Sequence, residues 1–351
     1  MKYGKYVGRI AGGKDVYIGN GSPNRHLLIS GISGSGKSVR IADIERHAIA
    51  DGDTIIALDI NGTHERLEDD ICNYISAQED GLNIKVLDTS LVEMGKESPM
   101  NLIQYAVETL APRKMHGACQ LAALRKAVKF ALQHRAKYKT EMEAILAGLE
   151  AQEETAALGV YNHLCPILEG GIFRESEKAI QPGKLNIISL QSLNPKTQKQ
   201  VTEIFLAALW RDKRSSRALI EDKVTLVLDE FQNLNFQKGS ALFELLTEGR
   251  KYGLEIVMAT QTLAIFSKKD LAIINQAAVK LFFQQSVTDL TGIAAMIEPQ
   301  YKEKWIEKLA ELQIGEAISV GNLEVAGKKI NQPILTRSCF NETGLCTNNQ
   351  T

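Results

Sequence analysis

The sequence predicts an α/β fold in which helices cover a mostly parallel sheet and an all-helical insertion interrupts the order of the strands. Three observations lead to this prediction. Short apolar runs alternate with segments of helical periodicity along most of the chain. A glycine-rich loop at residues 31–38 joins one of these runs to a helical segment. Strand signals vanish between about residues 104 and 180, where Ala, Leu, Glu and Lys recur at helical spacing.

The predicted strands are runs rich in Val, Ile and Leu, and several of them end in an acidic residue. They cover residues 26–30, 54–59, 84–88, 186–190, 224–229, 254–259, 279–283 and 315–320. Helical periodicity is clear at residues 38–49, and again at 118–133 and 140–154 inside the strand-free stretch. Because parallel neighbours need crossover connections, this alternation indicates a mostly parallel sheet.

Residues 31–38 read GISGSGKS and match G-x-x-x-x-G-K-[ST], the phosphate-binding P-loop. An apolar run precedes the loop and a helical segment follows it, which is the order that the motif requires. Glycines let backbone N–H groups approach phosphate oxygens at a helix N-terminus. The alternative is a surface turn rich in Gly and Ser. The predicted ATP-binding residues are Gly31, Ser33, Gly34, Ser35, Gly36, Lys37, Ser38 and Val39.

Hydrolysis needs acidic groups near the phosphates, and the run at 224–228 supplies them because Asp229 and Glu230 follow it. Lys37 is predicted to meet the β- and γ-phosphates, and Ser38 with Asp229 to hold Mg²⁺, directly or through water. Glu230 is predicted to orient and deprotonate the attacking water. Alone, the same strand end could carry two solvated acids; together with the P-loop it predicts an ATPase.

Two further residues are candidates for coupling hydrolysis to motion. Gln261 follows the predicted strand 254–259, where an amide could touch the water and the γ-phosphate and sense nucleotide state. The alternative is a surface glutamine. Arg250 precedes the same strand, so we expect it to lie away from its own P-loop and to serve a neighbouring subunit as an arginine finger. The alternative is an arginine that caps helix carbonyls.

The expected organisation has four parts. Residues 1–103 form the N-terminal part of the ATPase core with the P-loop, and 104–180 form the helical insertion. Residues 181–340 complete the core, and the polar segment 341–351 is a disordered tail. The alternative for 104–180 is a set of ordinary crossover helices.

Composition limits the possible partners and the compartment. The chain has 351 residues and a net charge of −1, so nucleic-acid binding would need a local patch rather than a global basic excess. The densest basic cluster, residues 211–217, is expected to be a solvated loop. No apolar run approaches the ~18 residues of a membrane span, and no signal peptide begins the chain. Five scattered cysteines without a CxxC pair indicate reduced thiols in a cytoplasmic protein.

Taken together, seven segments resemble the HerA/FtsK superfamily of P-loop ATPases, which includes the coupling ATPases of conjugation and type IV secretion. The resemblance covers most of the chain and implies a RecA-like fold. Two departures stand out: His64 occupies a position where relatives often carry an acid, and no proline follows Asn101. The segments that carry the resemblance are 13–18, 25–38, 59–62, 98–102, 228–234, 248–253 and 259–261.

The resemblance implies a Mg-ATP-hydrolysing ring, a homo-oligomer and most simply a hexamer, that moves double- or single-stranded DNA without sequence preference. Conjugative transfer, DNA processing and defence are the implied settings, with a membrane or a relaxase or nuclease protein as a further partner. Relatives often have a membrane anchor before the motor and a winged-helix domain after it; neither is expected here. The first alternative is a type IV secretion-like ATPase that energises protein transport and never grips DNA. The second is a nucleotide switch that scarcely hydrolyses ATP, and Glu230 argues against it.

Overall fold

The structure is a computed structural model that describes residues 4–22, 24–62, 64, 71–111, 117–215 and 223–339. The expected disordered tail, residues 341–351, lies outside this part of the chain. Within the described residues, thirteen strands form one continuous sheet. The fold is the predicted α/β arrangement, with a parallel core that is extended by antiparallel strands.

The parallel part of the sheet contains seven strands in the order β9-β3-β8-β7-β4-β6-β5. These strands are β3 Leu27–Ser30, β4 Thr54–Asp59, β5 Cys72–Ser76, β6 Leu185–Ser189, β7 Val224–Leu228, β8 Leu254–Thr260 and β9 Val279–Phe282. Strand β8 lies between β3, which leads to the P-loop, and β7, which leads to the acidic pair. Since parallel strands end at the same edge, this order brings the three loops that follow them together.

Six antiparallel strands continue the sheet beyond β9 in the order β10-β13-β1-β2-β11-β12. They are β1 Tyr6–Arg9, β2 Asp15–Ile18, β10 Glu316–Gly321, β11 Leu323–Val325, β12 Lys328–Ile330 and β13 Ile334–Arg337. The sequence predicted only β10 among them, because the other five are runs of three or four residues in which polar side chains recur.

Helices cover both faces of the sheet, as the alternation of buried side chains along its strands requires. On β3, Leu27 and Ile29 pack with Ile41 and Ile44 of the P-loop helix α1, while Leu28 faces the opposite core. The helices are α1 Lys37–Ala50, α2 Ser90–Glu93, α3 Pro99–Leu110, α4 Ala118–His134, α5 Glu141–Glu150, α6 Thr155–Leu168, α7 Pro195–Ser215, α8 Ala241–Glu248, α9 Lys268–Ile274, α10 Val287–Ile297 and α11 Lys302–Ala310.

Five helices, α2–α6, lie between β5 and β6, and the four longer ones, α3–α6, pack mainly on one another. Their buried side chains, including Leu124 and Ile145, belong to the same core as one face of the sheet. The expected boundary at residues 103/104 falls inside α3. No helix among the described residues combines the length and the apolarity needed to cross a bilayer.

The predicted strand at 84–88 is wrong. Residues 81–85 have no regular secondary structure, and the backbone N–H groups of Val86 and Leu87 donate to the Glu141 carboxylate, at 3.2 Å in the case of Leu87. A buried side chain therefore satisfies donors that a sheet partner would otherwise satisfy. The strand at this position in the chain order is instead β5, whose Asn73 amide donates to Asn186 on β6 at 2.8 Å.

The thiol prediction needs one correction. Cys72, Cys119 and Cys165 are free, but Cys339 is disulfide-bonded. Cys339 is 3% exposed, and its backbone N–H donates to Asp43 on α1 at 2.7 Å. The absence of a CxxC pair does not exclude a disulfide, because pairing depends on the distance between the two residues in the fold.

Candidate nucleotide-binding site

The P-loop connects β3 to α1 and is built so that side chains would not fit at two of its glycines. A Cβ atom on Gly31 would lie 2.6 Å from Phe283, and one on Gly36 would lie 2.8 Å from the backbone of Gly315. Gly36 also has a φ of 101°, a left-handed value that favours glycine. The loop therefore keeps its phosphate-binding backbone shape only with these residues.

Lys37 opens α1 and folds back over the loop. Its Nζ donates to the carbonyl oxygens of Gly31 at 2.7 Å and Ile32 at 3.0 Å. Burial lowers the pKa of Lys37, while the nearby carboxylates of Asp229 and Glu230 act against that shift. The ammonium group thus lies beside the loop with two acids as its electrostatic partners.

The acidic pair follows β7 in a sharp turn. Burial, and next the Glu230 carboxylate, raise the pKa of Asp229 above its usual range. The backbone N–H of Glu230 donates to Asp229 Oδ1 at 3.0 Å, and Glu230 itself has a left-handed φ of 53°. Phe231 anchors this turn: it is fully buried and stacks on Phe266 with ring centroids 5.1 Å apart. Glu230 therefore has a strained backbone conformation, and such conformations are common at functional sites.

Two glutamines hold the Glu230 side chain. Gln261 Nε2, beyond the end of β8, donates to Glu230 Oε1 at 2.6 Å. Gln232 Nε2 donates to Glu230 Oε2. The Oε1 atom of Gln232 is buried without a hydrogen-bond partner. Gln261 was among the sequence candidates. Gln232 was not, and the only available signal was its position two residues after the acid.

These side chains line one cavity of about 810 Å³ at the carboxyl edge of the parallel strands. The predicted residues that line it are Ser33, Gly34, Gly36, Lys37, Ser38, Val39, Asp229, Glu230 and Gln261. Gly31 and Ser35 do not line it. The N–H of Gly31 donates to Thr260 at 3.2 Å, and the hydroxyl of Ser35 donates to Ile32 at 2.8 Å, so both brace the loop from inside.

Seven further residues line the same cavity, and the sequence predicted no binding role for any of them. They are Asn61, Gln313, Ile314, Gly315, Glu316, Arg337 and Ser338. Asn61 belongs to the turn after β4, where Asp59 accepts from the Gly62 N–H at 2.8 Å. The other six come from the distant ends of β10 and β13, and no local motif marks them.

His64, the departure noted in the sequence, is buried in an acidic environment. Its Nε2 lies 3.0 Å from Glu45 Oε1, and its Nδ1 lies 3.6 Å from Asp59 Oδ1. Burial alone would lower its pKa, but the carboxylates of Glu45 and Asp59 outweigh burial and raise the pKa to about 10. An imidazolium therefore ties the turn after β4 to the P-loop helix.

Arg250 lies apart from this cavity. It is exposed in a 3-10 turn, Gly249–Tyr252, that precedes β8. Since β8 runs parallel to β3, this turn is at the edge of the sheet opposite to the P-loop. The structure thus separates Arg250 from the other three catalytic candidates of the same chain, Lys37, Glu230 and Gln261, as the sequence predicted.

Comparisons with known proteins agree with this geometry. A family model described as the central domain of helicase HerA matches residues 5–209. The DNA double-strand break repair helicase HerA of Sulfolobus acidocaldarius is 21% identical over 341 residues, which cover 90% of this chain and 66% of that protein. The chain thus spans slightly less than two thirds of that relative.

Two solved structures share the fold across nearly the whole chain. The bacterial conjugative coupling protein TrwB is 16% identical with a TM-score of 0.69, covering 100% of this chain and 91% of the other. VirB4 of Thermoanaerobacter pseudethanolicus is 17% identical with a TM-score of 0.71, covering 98% of both chains. At these identities the likeness establishes the fold, that of a RecA-like P-loop ATPase. With the family match to more than half of its residues, the chain belongs to the HerA helicase central-domain family and has the architecture of a HerA/FtsK-type P-loop ATPase.

Proposed function

We propose that this protein hydrolyses Mg-ATP and uses the energy to move DNA through a homo-oligomeric ring, most simply a hexamer. One observation carries the catalytic part of the proposal. Glu230 reaches the same cavity as Lys37 and is held there by an amide from the neighbouring strand end, Gln261. A carboxylate in that position can accept the proton of an attacking water.

Each residue of the cavity has a separate task in this proposal. The P-loop backbone and Lys37 bind the β- and γ-phosphates, and Glu230 takes the proton from water. Gln261 donates to Glu230, so a γ-phosphate that competes for this amide would change the position of the base. Gln261 is therefore suited to sense which nucleotide is bound.

Magnesium fits the oxygen donors at the cavity. Ser38 and Asp229 both line it, and a desolvated carboxylate with a raised pKa gains most from a divalent cation. These two residues would hold the ion. When bound, Mg²⁺ would neutralise charge on the phosphate oxygens. TrwB has been solved in complex with ADP and Mg²⁺, which supports the same ligands here.

Support for DNA as the moved substrate comes from relatives, one of which is described as a DNA double-strand break repair helicase and another as a conjugative coupling protein. The alternative, a protein-handling secretion ATPase, has the VirB4 fold as its support. The basic cluster at 211–217 does not favour either DNA or protein as the moved substrate. Its described part, 211–215, is the end of helix α7 rather than a solvated loop, and Arg211 pairs with Glu97 at 2.5 Å.

Salt dependence distinguishes these two functions. A translocase must accept every sequence that it passes, so its DNA contacts should be to phosphates. Its affinity should then fall as salt rises, because the release of condensed counterions gains less free energy at higher salt. We expect a loss of roughly 10³-fold or more between 50 and 200 mM salt if about six phosphates are contacted. Filter binding with two unrelated duplexes and an ATP analogue measures this. A flat salt response, or no binding at low salt, would favour protein transport.

We infer that Arg250 acts on the ATP of a neighbouring subunit. It is exposed and lies at the sheet edge opposite to its own cavity, so a head-to-tail ring is needed to bring it to a γ-phosphate. We expect Arg250→Ala to lower kcat by roughly 10³-fold, as arginine fingers do. Lys251→Ala, which removes the adjacent exposed cation paired with Glu248, is the matched control and should keep its activity.

Mixed rings test whether the arginine acts between subunits. Lys37→Ala and Arg250→Ala subunits are each expected to be inactive, but some interfaces in a mixed ring join an intact P-loop to an intact Arg250. Activity should therefore partly return on mixing. If the two variants co-assemble and activity stays absent, Arg250 is a structural residue of its turn.

A further inference from the structure

The cavity has a second wall that phosphate binding and hydrolysis do not use. It is formed by the loop after α11 and by the ends of β10 and β13, with the residues Gln313, Ile314, Gly315, Glu316, Arg337 and Ser338. We call this set the distal wall. It faces the cavity together with Val39, the residue that follows the P-loop motif.

The distal wall is fixed to the P-loop rather than being a mobile flap. The N–H of Gly315 donates to the carbonyl of Ser35 at 2.9 Å. Arg40 of α1 is fully buried and donates from Nη2 to Gly315 O at 3.2 Å and from Nε to Ser338 Oγ at 3.0 Å. A guanidinium on the P-loop helix therefore sets the spacing between the loop and the wall, so both sides of the cavity are pre-formed.

Two side chains of the distal wall that line the cavity are largely exposed. Ile314 is apolar and 67% exposed. The Arg337 side chain is 60% exposed, and its guanidinium is oriented by Glu316 Oε1, which accepts from Nε at 2.9 Å and from Nη2 at 2.5 Å. An aliphatic surface and an oriented guanidinium plane are a chemical match for an aromatic base, through apolar contact and cation–π attraction.

Two polar side chains of the distal wall form hydrogen bonds with other residues of the protein. The Gln313 amide donates to Glu311 O at 2.9 Å, and Ser338 Oγ accepts from Arg40. Selection between bases normally depends on hydrogen bonds to the base edge, because a site that makes them rejects a ligand that lacks them. The remaining groups of the wall are Ile314, which has no polar atom in its side chain, and Arg337, whose N–H groups are donors only. Both purines present an acceptor at N7, so these two side chains can contact either base and do not require an adenine edge.

We propose that the distal wall is the nucleoside subsite: Ile314 and Arg337 hold the base and ribose of a purine nucleoside triphosphate with little discrimination between adenine and guanine. This inference rests on the proposed nucleotide function of the same cavity. The P-loop end, with residues 33–38 and the acids, takes the triphosphate. Asn61 and Gln261 also line the cavity, from the ends of the two strands that flank the acidic pair, and Val39 and the distal wall remain for the nucleoside.

The test separates the nucleoside from the phosphates. Affinities for Mg-ATP, Mg-GTP and tripolyphosphate are measured by calorimetry on the full chain and on Ile314→Gln, Arg337→Gln and Arg337→Lys. Each variant should bind both nucleotides roughly tenfold more weakly, since apolar contact or stacking is lost, while tripolyphosphate affinity stays unchanged. Wild-type affinities for ATP and GTP should agree within about threefold, because stacking accepts either base. Leu158→Gln and Lys129→Gln, on the exposed surfaces of α6 and α4, are controls for the loss of an apolar side chain and of a cation.

Each of the other outcomes contradicts one specific claim. Variants that bind ATP as tightly as the wild-type protein contradict the subsite and leave the proposed function intact. Variants that lose ATP and tripolyphosphate equally show that the wall supports the P-loop and does not contact the nucleoside. A wild-type protein that binds ATP but rejects GTP contradicts the weak discrimination. If the wild-type protein binds neither nucleotide nor tripolyphosphate, the proposed function itself fails.

Discussion

Replacing Glu230 by glutamine is expected to leave nucleotide binding intact and to lower kcat by about 10²- to 10⁴-fold, the usual contribution of a general base. The substitution keeps the size of the side chain and removes its ability to accept a proton. It should also loosen the turn, because both carboxylate oxygens of Glu230 now accept from amides, those of Gln232 and Gln261. A glutamine offers only one accepting oxygen.

The measurement is steady-state ATP hydrolysis together with the affinity for Mg-ADP. Glu303→Gln, on the exposed surface of α11, is the matched control and should change neither quantity. A purified Glu230→Gln protein that hydrolyses ATP at the wild-type rate would contradict the assignment of Glu230 as the general base. Loss of ADP affinity without a change in kcat would instead make Glu230 a binding residue.

Replacing Lys37 by alanine is expected to weaken ATP binding by about 100-fold, because hydrogen bonds to charged groups contribute about 1.5–3 kcal/mol. The structure adds a second effect. Lys37 Nζ also donates to the carbonyls of Gly31 and Ile32, so the variant removes a donor from both, although the Ser35 hydroxyl still donates to Ile32. Calorimetric titration with Mg-ATP measures the loss.

Lys129→Ala removes an exposed lysine from α4 and controls for the change in net charge. Tripolyphosphate affinity should fall along with ATP affinity in Lys37→Ala, since both ligands meet the same ammonium group. Undiminished ATP affinity in this variant would mean that residues 31–38 are a glycine-rich turn with no role in phosphate binding.

Local sequence patterns were sufficient to predict the half of the site that local structure builds. Residues 31–38 fold as strand end, loop and helix start within one short segment, and Asp229 follows a run of buried apolar residues. The order of the strands was not needed, because each motif identifies its own strand end. Gln261 joined the site because β8 lies between β3 and β7, which the sequence does not state.

Long-range contacts account for what the sequence could not predict. Ile314 and Arg337 lie at the cavity because the antiparallel strands β10 and β13 pair beside it. Arg40 also fixes this position through its hydrogen bonds, and nothing in the sequence distinguishes it from other helical arginines. The false strand at 84–88 has the same cause, since the acceptor of its backbone donors is Glu141, more than fifty residues away.

The central claim is that one cavity binds Mg-ATP and hydrolyses it in response to DNA. The most direct test is the ATPase rate of the full chain with Mg²⁺, measured with and without double-stranded DNA, beside Lys37→Ala under the same conditions. The account predicts hydrolysis that requires Mg²⁺, rises on addition of DNA and disappears in Lys37→Ala. Equal rates in the wild-type protein and Lys37→Ala would contradict it.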